Sequence, residues 1–436
     1  MGHHGNEFRL ATKAPDRAVS SAQPEPAPGL KVARTRGSSR SVERGLVRRM
    51  LGALGRPPIE VELWDGALIV GSASASPVAR VTIHRRSTLW RLVARPMLHF
   101  GDAYSAGELD VRGDLIGLLE VIYRHREAAS VPPSRGRLGL SRLASRARSN
   151  TLRGSRANIH AHYDIGNDFY QLWLDRDLVY TCAYFPTPEL SLEDAQFAKM
   201  ELVCRKLRLK PGEAVVEAGC GWGALALHMA KHHGIYVKAY NISHEQITFA
   251  RERARREELD DRVEFIEDDY RRARGRFDVF VSVGMLEHVG PDHYRELGAT
   301  IDRCLTPDGR GLLHSIGQDY PAELNPWIRR RIFPGAYPPS LREMLGVLEP
   351  WKFTVLDVEN LRQHYALTLR HWLERFESTR EQTRGMFDER FVRMWRLYLS
   401  GSIAAFDSGA LQLFQVLFNR HGLRDVPWTR AEFHIG

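Results

Sequence analysis

The stretch Ala214-Val-Val-Glu-Ala-Gly-Cys-Gly-Trp-Gly-Ala-Leu-Ala-Leu-His-Met-Ala230 decides how the chain is read. An apolar run with β-branched Val215 and Val216 breaks into Gly219-x-Gly221-x-Gly223 and passes into a helical pattern of Ala, Leu and Met, so it reads as strand, tight turn, helix. Glycines in such a turn let the backbone approach a ligand closely, and the next helix offers unpaired N–H groups at its start. A turn that merely closes a βαβ unit could carry the same glycines, so the surroundings must discriminate. A dinucleotide-binding turn has the spacing G-x-G-x-x-G with an acid about 20 residues on. Here the spacing is tighter, Glu217 precedes the turn, and the next strand, Tyr236 to Asn241, ends in Asn.

Outward from the turn the alternation continues. An amphipathic helix from Leu190 to Leu207 leads in through Leu209-Lys-Pro-Gly212. Downstream come helix Glu245 to Glu257, strands Val263 to Ile266 and Phe277 to Val283, helix His293 to Cys304 and strand Gly311 to Ile316. Strands separated by helices imply a parallel, doubly wound α/β sheet with ligands at the strands' C-terminal ends. An insertion, Trp327 to Pro339, precedes two long helical patterns, roughly Tyr365 to Arg384 and Phe391 to Arg420. The polar and aromatic run Asn158 to Asp175 reads as a helical lid.

Residues 1–42 are poor in large apolar side chains and read as a disordered tail. Residues 43–130 read as a small α+β domain, with strands Ile59 to Trp64 and Ala79 to His84 in an antiparallel sheet and a helix from Leu115 to Tyr123. Its position suggests docking or dimerisation. Residues 131–157 form a basic linker and 158–436 the remaining domain. The chain has a net charge of +9, and no acid occurs from Ala128 to Tyr163, where seven arginines fall. This suggests an anionic membrane surface as partner, about 1 kcal/mol per basic group, while a merely solvated linker would have the same composition. No run approaches the roughly 20 apolar residues that span a bilayer, so a cytoplasmic, peripherally membrane-associated protein is expected. The four cysteines, Cys182, Cys204, Cys220 and Cys304, follow neither a disulfide nor a zinc spacing.

Several motifs in order carry a resemblance: His162-Tyr-Asp-x-Gly-Asn-Asp-Phe-Tyr170, Tyr180-Thr-Cys-Ala-Tyr184, Gly219-Cys-Gly-Trp-Gly223, Ile242-Ser-x-Glu-Gln246, Val283-Gly-Met-Leu-Glu-His-Val-Gly290, Leu313-His-Ser-Ile-Gly317, Phe333-Pro-Gly335 and Tyr365-x-x-Thr-Leu-x-x-Trp372. The sequence resembles the cyclopropane-fatty-acyl-phospholipid synthases, which include the mycolic acid cyclopropane synthases. The resemblance implies a Rossmann-like methyltransferase fold, S-adenosylmethionine as cofactor and the cis double bond of an unsaturated phospholipid acyl chain as substrate. It implies that Tyr180 and Thr181 lie near the cofactor's carboxylate, Gly219, Gly221 and Gly223 under its methionine part, Asn241, Ile242 and Gln246 at the ribose, and Asp269 and Tyr270 at the adenine. It further implies a bicarbonate base held by Cys182, Glu287, His314, the Ile316 backbone and Tyr365, and a homodimer by analogy. Ser402 stands where some relatives have a cysteine, and the chemistry requires none there.

That chemistry asks for specific surroundings. An alkene is a poor nucleophile, so the sulfonium methyl must be held in line with it, and positioning contributes roughly 7–11 kcal/mol. The resulting carbocation must be kept from water and can be stabilised by aromatic faces, for which Tyr163, Tyr170, Trp173, Tyr184, Trp222, Tyr270, Phe333, Tyr365 and Trp372 are candidates. Ring closure needs a base beside the cation. Without the resemblance, Cys182 reads as a small buried hydrophobe, His314 as a satisfied core histidine and Glu287 as a helix-start acid. Methyl or methylene branching of the same alkene, and a small-molecule methyltransferase, are the alternatives; nucleic acid is not expected as a partner.

Overall fold

The computed structural model describes residues 35, 37–72, 76–129, 165–423 and 426–434. Most of the expected tail, the whole basic linker, and His162 and Tyr163 lie outside them. Helix α1 (Ser41–Ala53) begins within the expected tail, and Ser39 donates from both backbone N and Oγ to Asp65 Oδ2 at 2.6 and 2.8 Å.

The N-terminal unit is a sheet of β1 (Ile59–Glu62), β2 (Leu68–Val70), β3 (Ala79–Ile83) and β4 (Leu109–Gly113), in the order β2-β1-β3-β4. Ile59 and Val61 are buried on one face, as their alternation with Glu60 and Glu62 requires. The sheet is not wholly antiparallel as expected. The Asp65-Gly66 turn folds β2 back onto β1, but β3 joins the other edge of β1 in parallel, with Val61 opposite Val81. Helices α2 (Arg86–Ala94) and α3 (Pro96–Ser105) connect β3 to β4, and α4 (Leu115–Ala129) follows.

After the short helix α5 (Asn167–Gln171), α6 (Leu192–Leu207) leads into a seven-stranded sheet. In chain order its elements are β5 (Ala214–Ala218), α7 (Ala224–His233), β6 (Tyr236–Asn241), α8 (His244–Arg256), β7 (Val263–Glu267), β8 (Phe277–Val283), α9 (Tyr294–Cys304) and β9 (Leu305–Gly317). Then come α10 (Pro326–Arg331), α11 (Leu341–Leu348), β10 (Phe353–Asn360), α12 (Arg362–Ser378), α13 (Arg380–Met386), α14 (Glu389–Ser408), β11 (Gln412–Arg420) and α15 (Ala431–His434). The strand order is β10-β11-β9-β8-β5-β6-β7. Only β11 runs against its neighbours. The winding reverses between β5 and β8, which puts the switch-point crevice beside Gly219–Gly223 and the end of β8.

The expected helix Phe391 to Arg420 ends at Ser408 and its last nine residues are strand. Gly409, with φ +89°, ends α14 in the left-handed conformation, and Gln412 to Asn419 are all buried as β11 between β9 and β10. A helix there would leave both neighbouring strands unpaired along one edge. The expected helix Tyr365 to Arg384 is broken at Thr379 into α12 and α13.

The two sheets share a core through α14. Arg393, 8% exposed, donates to Tyr104 O at 2.6 Å, Leu109 O at 2.9 Å and Asp110 Oδ1 at 2.8 Å, and its guanidinium lies 4.4 Å from the Tyr104 ring centre. Trp327 of the insertion presses on α3, where a Cβ at Gly101 would come within 2.4 Å of it. Arg331 pairs with Asp102 at 2.9 Å.

Candidate active site

At the switch point the glycines adopt φ +85° (Gly219), +55° (Gly221) and +86° (Gly223), values that side chains resist. Gly223 is also demanded by packing, since a Cβ there would lie 2.5 Å from Phe265 Cζ. A Cβ at Gly221 would meet nothing within 4 Å, so that face of the turn is open. Gly219 and Cys220 donate their N–H groups to Tyr240 O at 2.9 and 3.2 Å, tying the turn to β6. Beside it opens a small cleft with a cavity volume of about 60 Å³. Gly219, Asn241, Ile242, Asp269 and Tyr270 line it, together with Met285 and His288.

Asn241 Nδ2 donates to Gly221 O at 3.2 Å and to Gln246 Oε1 at 2.7 Å, so Gln246 stands behind Asn241 and does not line the cleft. Asp269 is held by a bidentate pair to Arg271, at 2.8 Å from both Nε and Nη2. Thr181 lies against the end of β8, where a Cβ at Gly284 would come within 2.8 Å of its methyl group. The Tyr180 hydroxyl meets that of Tyr398 at 2.8 Å.

Sequence reasoning missed Lys199, which is 2% exposed on α6 and donates to Thr181 Oγ1 at 3.2 Å. The signal was a lysine on the otherwise apolar face of an amphipathic helix. Burial pulls its pKa down to about 8, opposed by Asp175, Cys182 and Glu217. Burial likewise lifts Glu217 to about 7 and Asp175 to about 6. Glu217 Oε2 is buried without a hydrogen-bond partner among the described residues.

At the ends of β8 and β9, Glu287 is 5% exposed and accepts from Ser315 Oγ at 2.7 Å and from the Ile316 N–H at 3.4 Å. Burial raises its pKa. His314, 2% exposed, stands directly across from Gln415 on β11. Lys206 Nζ donates to Gln415 Oε1 at 2.8 Å, and Gln415 Nε2 donates to His314 Nδ1 at 2.9 Å. An ammonium can only donate, so the amide oxygen faces Lys206 and the amide NH₂ faces the ring. Nδ1 therefore accepts, and the neutral imidazole carries its proton on Nε2, which is buried without a partner among the described residues. Burial, with Lys199 and Lys206 nearby, holds the ring neutral by lowering its pKa to about 3.

Tyr365 and Cys182 lie on other elements tied to the end of β9. Leu361 N donates to Leu413 O at 2.8 Å, and Leu413 pairs with Ile316, which fixes the start of α12 and Tyr365 on it. Ala183 N donates to Thr368 Oγ1 at 3.0 Å, one turn along α12 from Tyr365, and so places Cys182. The Cys182 thiol is fully buried, its pKa raised by burial, and it donates to Ala183 O at 3.0 Å.

Aromatic rings pack against one another in the core beside the turn. Tyr170 lies 5.0 Å from Trp222, Tyr180 5.3 Å from both Trp173 and Trp372, and Trp372 6.0 Å from Tyr365. Phe333 bridges His288 at 5.7 Å and Tyr398 at 5.6 Å. The lid residues Phe169, Tyr170 and Trp173 are fully buried, and Trp222 Nε1 donates to Asn167 Oδ1 at 2.7 Å, tying α5 to the glycine turn. Tyr184 stacks on His364 at 4.8 Å. Tyr398 and Trp395 of α14 complete the cluster.

The family described as mycolic acid cyclopropane synthetase matches residues 150–416. The chain belongs to that family. It is an S-adenosylmethionine-dependent methyltransferase of the cyclopropane synthase type. A second family, described only as a domain of unknown function, matches residues 46–131. The chain is 42% identical to the cyclopropane-fatty-acyl-phospholipid synthase of Escherichia coli strain K12 over 60% of its own length and 68% of that protein. It is 32% identical to the tuberculostearic acid methyltransferase UfaA1 of Mycobacterium tuberculosis over 88% of its own length and 92% of that protein. The structure of the cyclopropane synthase MmaA2 from Mycobacterium tuberculosis superposes with a TM-score of 0.57 at 27% identity, covering 61% of this chain and 98% of that one. Among the described residues no helix is long and apolar enough to cross a membrane.

The residues of this synthase-family chain fit its cofactor. The open face at Gly221 and the cleft beside Gly219, Asn241 and Ile242 leave room for a ligand at the glycine turn.

Proposed function

We propose that the protein converts cis-unsaturated phospholipid acyl chains to cyclopropane chains, with bound bicarbonate taking the ring-closing proton. The observation that supports this most directly is the proximity of Glu287, His314 and Ile316 at the ends of β8 and β9. Burial raises the Glu287 pKa and so favours a protonated carboxyl, His314 presents Nε2–H, and Tyr365 would add a hydroxyl: a set suited to a small oxyanion.

S-adenosylmethionine supplies an electrophilic methyl group. Tyr180 and Thr181 would hold its carboxylate, Gly219, Gly221 and Gly223 its methionine part, Asn241, backed by Gln246, and Ile242 its ribose, and Asp269 and Tyr270 its adenine. The alkene π pair forms the new C–C bond while the C–S pair stays on sulfur, leaving a cation on the other alkene carbon. The faces of Tyr180, Trp372 and Tyr365 stabilise that cation and exclude water. Glu287, His314, the Ile316 N–H, Tyr365 and Cys182 would hold the oxyanion, which would supply the base for the proton lost from the added methyl group as that C–H pair closes the ring. Residues 131–157 would hold the protein, in the cytoplasm, against an anionic leaflet.

Mass spectrometry of lipids from a heterologous host tests the reading. Acyl chains heavier by one methylene unit with ring-specific fragmentation are expected; an exocyclic methylene or a methyl branch would overturn ring formation. Coverage of 96% of a relative named a probable fatty acid methyltransferase and 92% of one named a tuberculostearic acid methyltransferase favours the branched product as the second reading. Assay in carbonate-depleted buffer separates the base from the product: unchanged turnover there overturns bicarbonate alone. Glu287→Gln should leave cofactor affinity within a few fold and cut turnover severely.

A further inference from the structure

We propose that Cys204, His228, His233 and Glu201 form a zinc site that staples α6 to α7, away from the cofactor cleft. Their spacing in the chain follows no metal motif; packing of the two helices brings them together. Cys204 Sγ and one ring nitrogen from each of His228 and His233 all lie within 4.8 Å of one another. Glu201, one turn before Cys204, has a single carboxylate oxygen, Oε1, that accepts from His228 Nε2 at 2.5 Å and His233 Nε2 at 3.2 Å.

Two imidazoles, one thiol and one carboxylate make an N₂SO set, which suits the borderline, tetrahedral Zn²⁺. Zn–N near 2.0–2.1 Å and Zn–S near 2.3 Å put ligand atoms about 3.3–3.7 Å apart in a tetrahedron. To close on an ion the Cys204, His228 and His233 ligand atoms would draw together by up to about 1 Å, while the Glu201 carboxylate would swing out of its 2.5 Å contact with His228 to take the fourth position. Burial fits a structural ion: Cys204 and His228 are 1% and 5% exposed. Binding Zn²⁺ releases the thiol proton to solvent, and the metal's two positive charges then meet one thiolate and one carboxylate. Cys204 forms the nearly closed floor, and His233, at the end of α7, the more open side.

The staple would join two elements of the cofactor region: α6 carries Lys199 against Thr181, and α7 starts at Gly223. Full-length protein, with His3 and His4 replaced by alanine so that the tail contributes nothing, is stripped by chelator and titrated with Co²⁺ and then Zn²⁺. One equivalent of Co²⁺ should bind with tetrahedral visible bands and a thiolate-to-cobalt charge-transfer band, both displaced by Zn²⁺. Cys204→Ser should remove the charge-transfer band. His233→Ala, at the open side, should weaken Zn²⁺ by at least about 100-fold, because changes behind the ligands alone cost ~10–100-fold. The melting temperature should rise with Zn²⁺ in the parent and not in either variant. Substoichiometric binding, or a cobalt spectrum that survives Cys204→Ser, would overturn the site and leave a hydrogen-bonded His-Glu-His contact between helices.

Discussion

Gln415 offers a test of how the proton on His314 is controlled. Its amide is the only link between the buried Lys206 ammonium and His314 Nδ1 among the described hydrogen bonds. Gln415→Leu leaves Nδ1 without its donor, a loss of about 1–3 kcal/mol, and removes one charged hydrogen bond of about 1.5–3 kcal/mol. Lys206 keeps Glu359, and Asp357 at 3.7 Å, so a total near 3–5 kcal/mol is expected in denaturant unfolding. Freed of its donor, the ring can place its proton on either nitrogen; a net hydrogen bond of about 0.5–1.5 kcal/mol limits the loss of turnover to about tenfold. Gln415→Glu acts differently. The carboxylate accepts from both neighbours, draws the ring proton to Nδ1 and turns Nε2 into an acceptor. Stability should suffer less than in Gln415→Leu, while turnover falls by about 10²–10³-fold, as for loss of one preorganised donor. Turnover is measured on vesicles of unsaturated phospholipid, and ¹⁵N resonances of His314 report which nitrogen carries the proton. Full turnover in a Gln415→Glu protein whose spectrum shows the proton on Nδ1 would refute the reasoning.

Gly223→Ala should disrupt folding, because its Cβ would lie 2.5 Å from Phe265 at φ +86°, whereas Gly221→Ala, facing open space at φ +55°, should cost only about 1–2 kcal/mol in thermal unfolding yet weaken cofactor affinity by calorimetry. Arg393→Met removes a buried cation that ties α14 to Tyr104, Leu109 and Asp110; a destabilisation of about 3–5 kcal/mol and an early loss of the N-terminal sheet by hydrogen exchange are expected. His314 has its pKa lowered from 6.5 to about 3 in the folded chain, so below pH 6.5 the unfolded chain takes up a proton that the folded one refuses. Stability is thus lost as pH falls from 6.5 toward 3, and His314→Gln should flatten that limb of the denaturation profile by up to about 1.4 kcal/mol per pH unit.

Local chemistry made much of the protein legible. The β-branched run into Gly219, Gly221 and Gly223, and the regular helix and strand periods after it, fixed five of the parallel strands and the crevice, because hydrophobic period and glycine conformation act over a few residues. Motif resemblance named Cys182, Glu287, His314, Ile316 and Tyr365. What it could not supply was their geometry. The run Gln412 to Arg420 is long and apolar enough to continue a helix; only the gap between β9 and β10 makes it a strand. Once that strand is in place, Gln415 faces His314 and connects it to Lys206, 209 residues away from Gln415 in the chain. Lys199 and the Cys204 cluster are of the same kind, ordinary helix positions until a second helix packs on them. Spacing along a chain reports period and turn, whereas the desolvation and partners that set a proton or a metal ligand come from distant segments that only packing brings within hydrogen-bond reach.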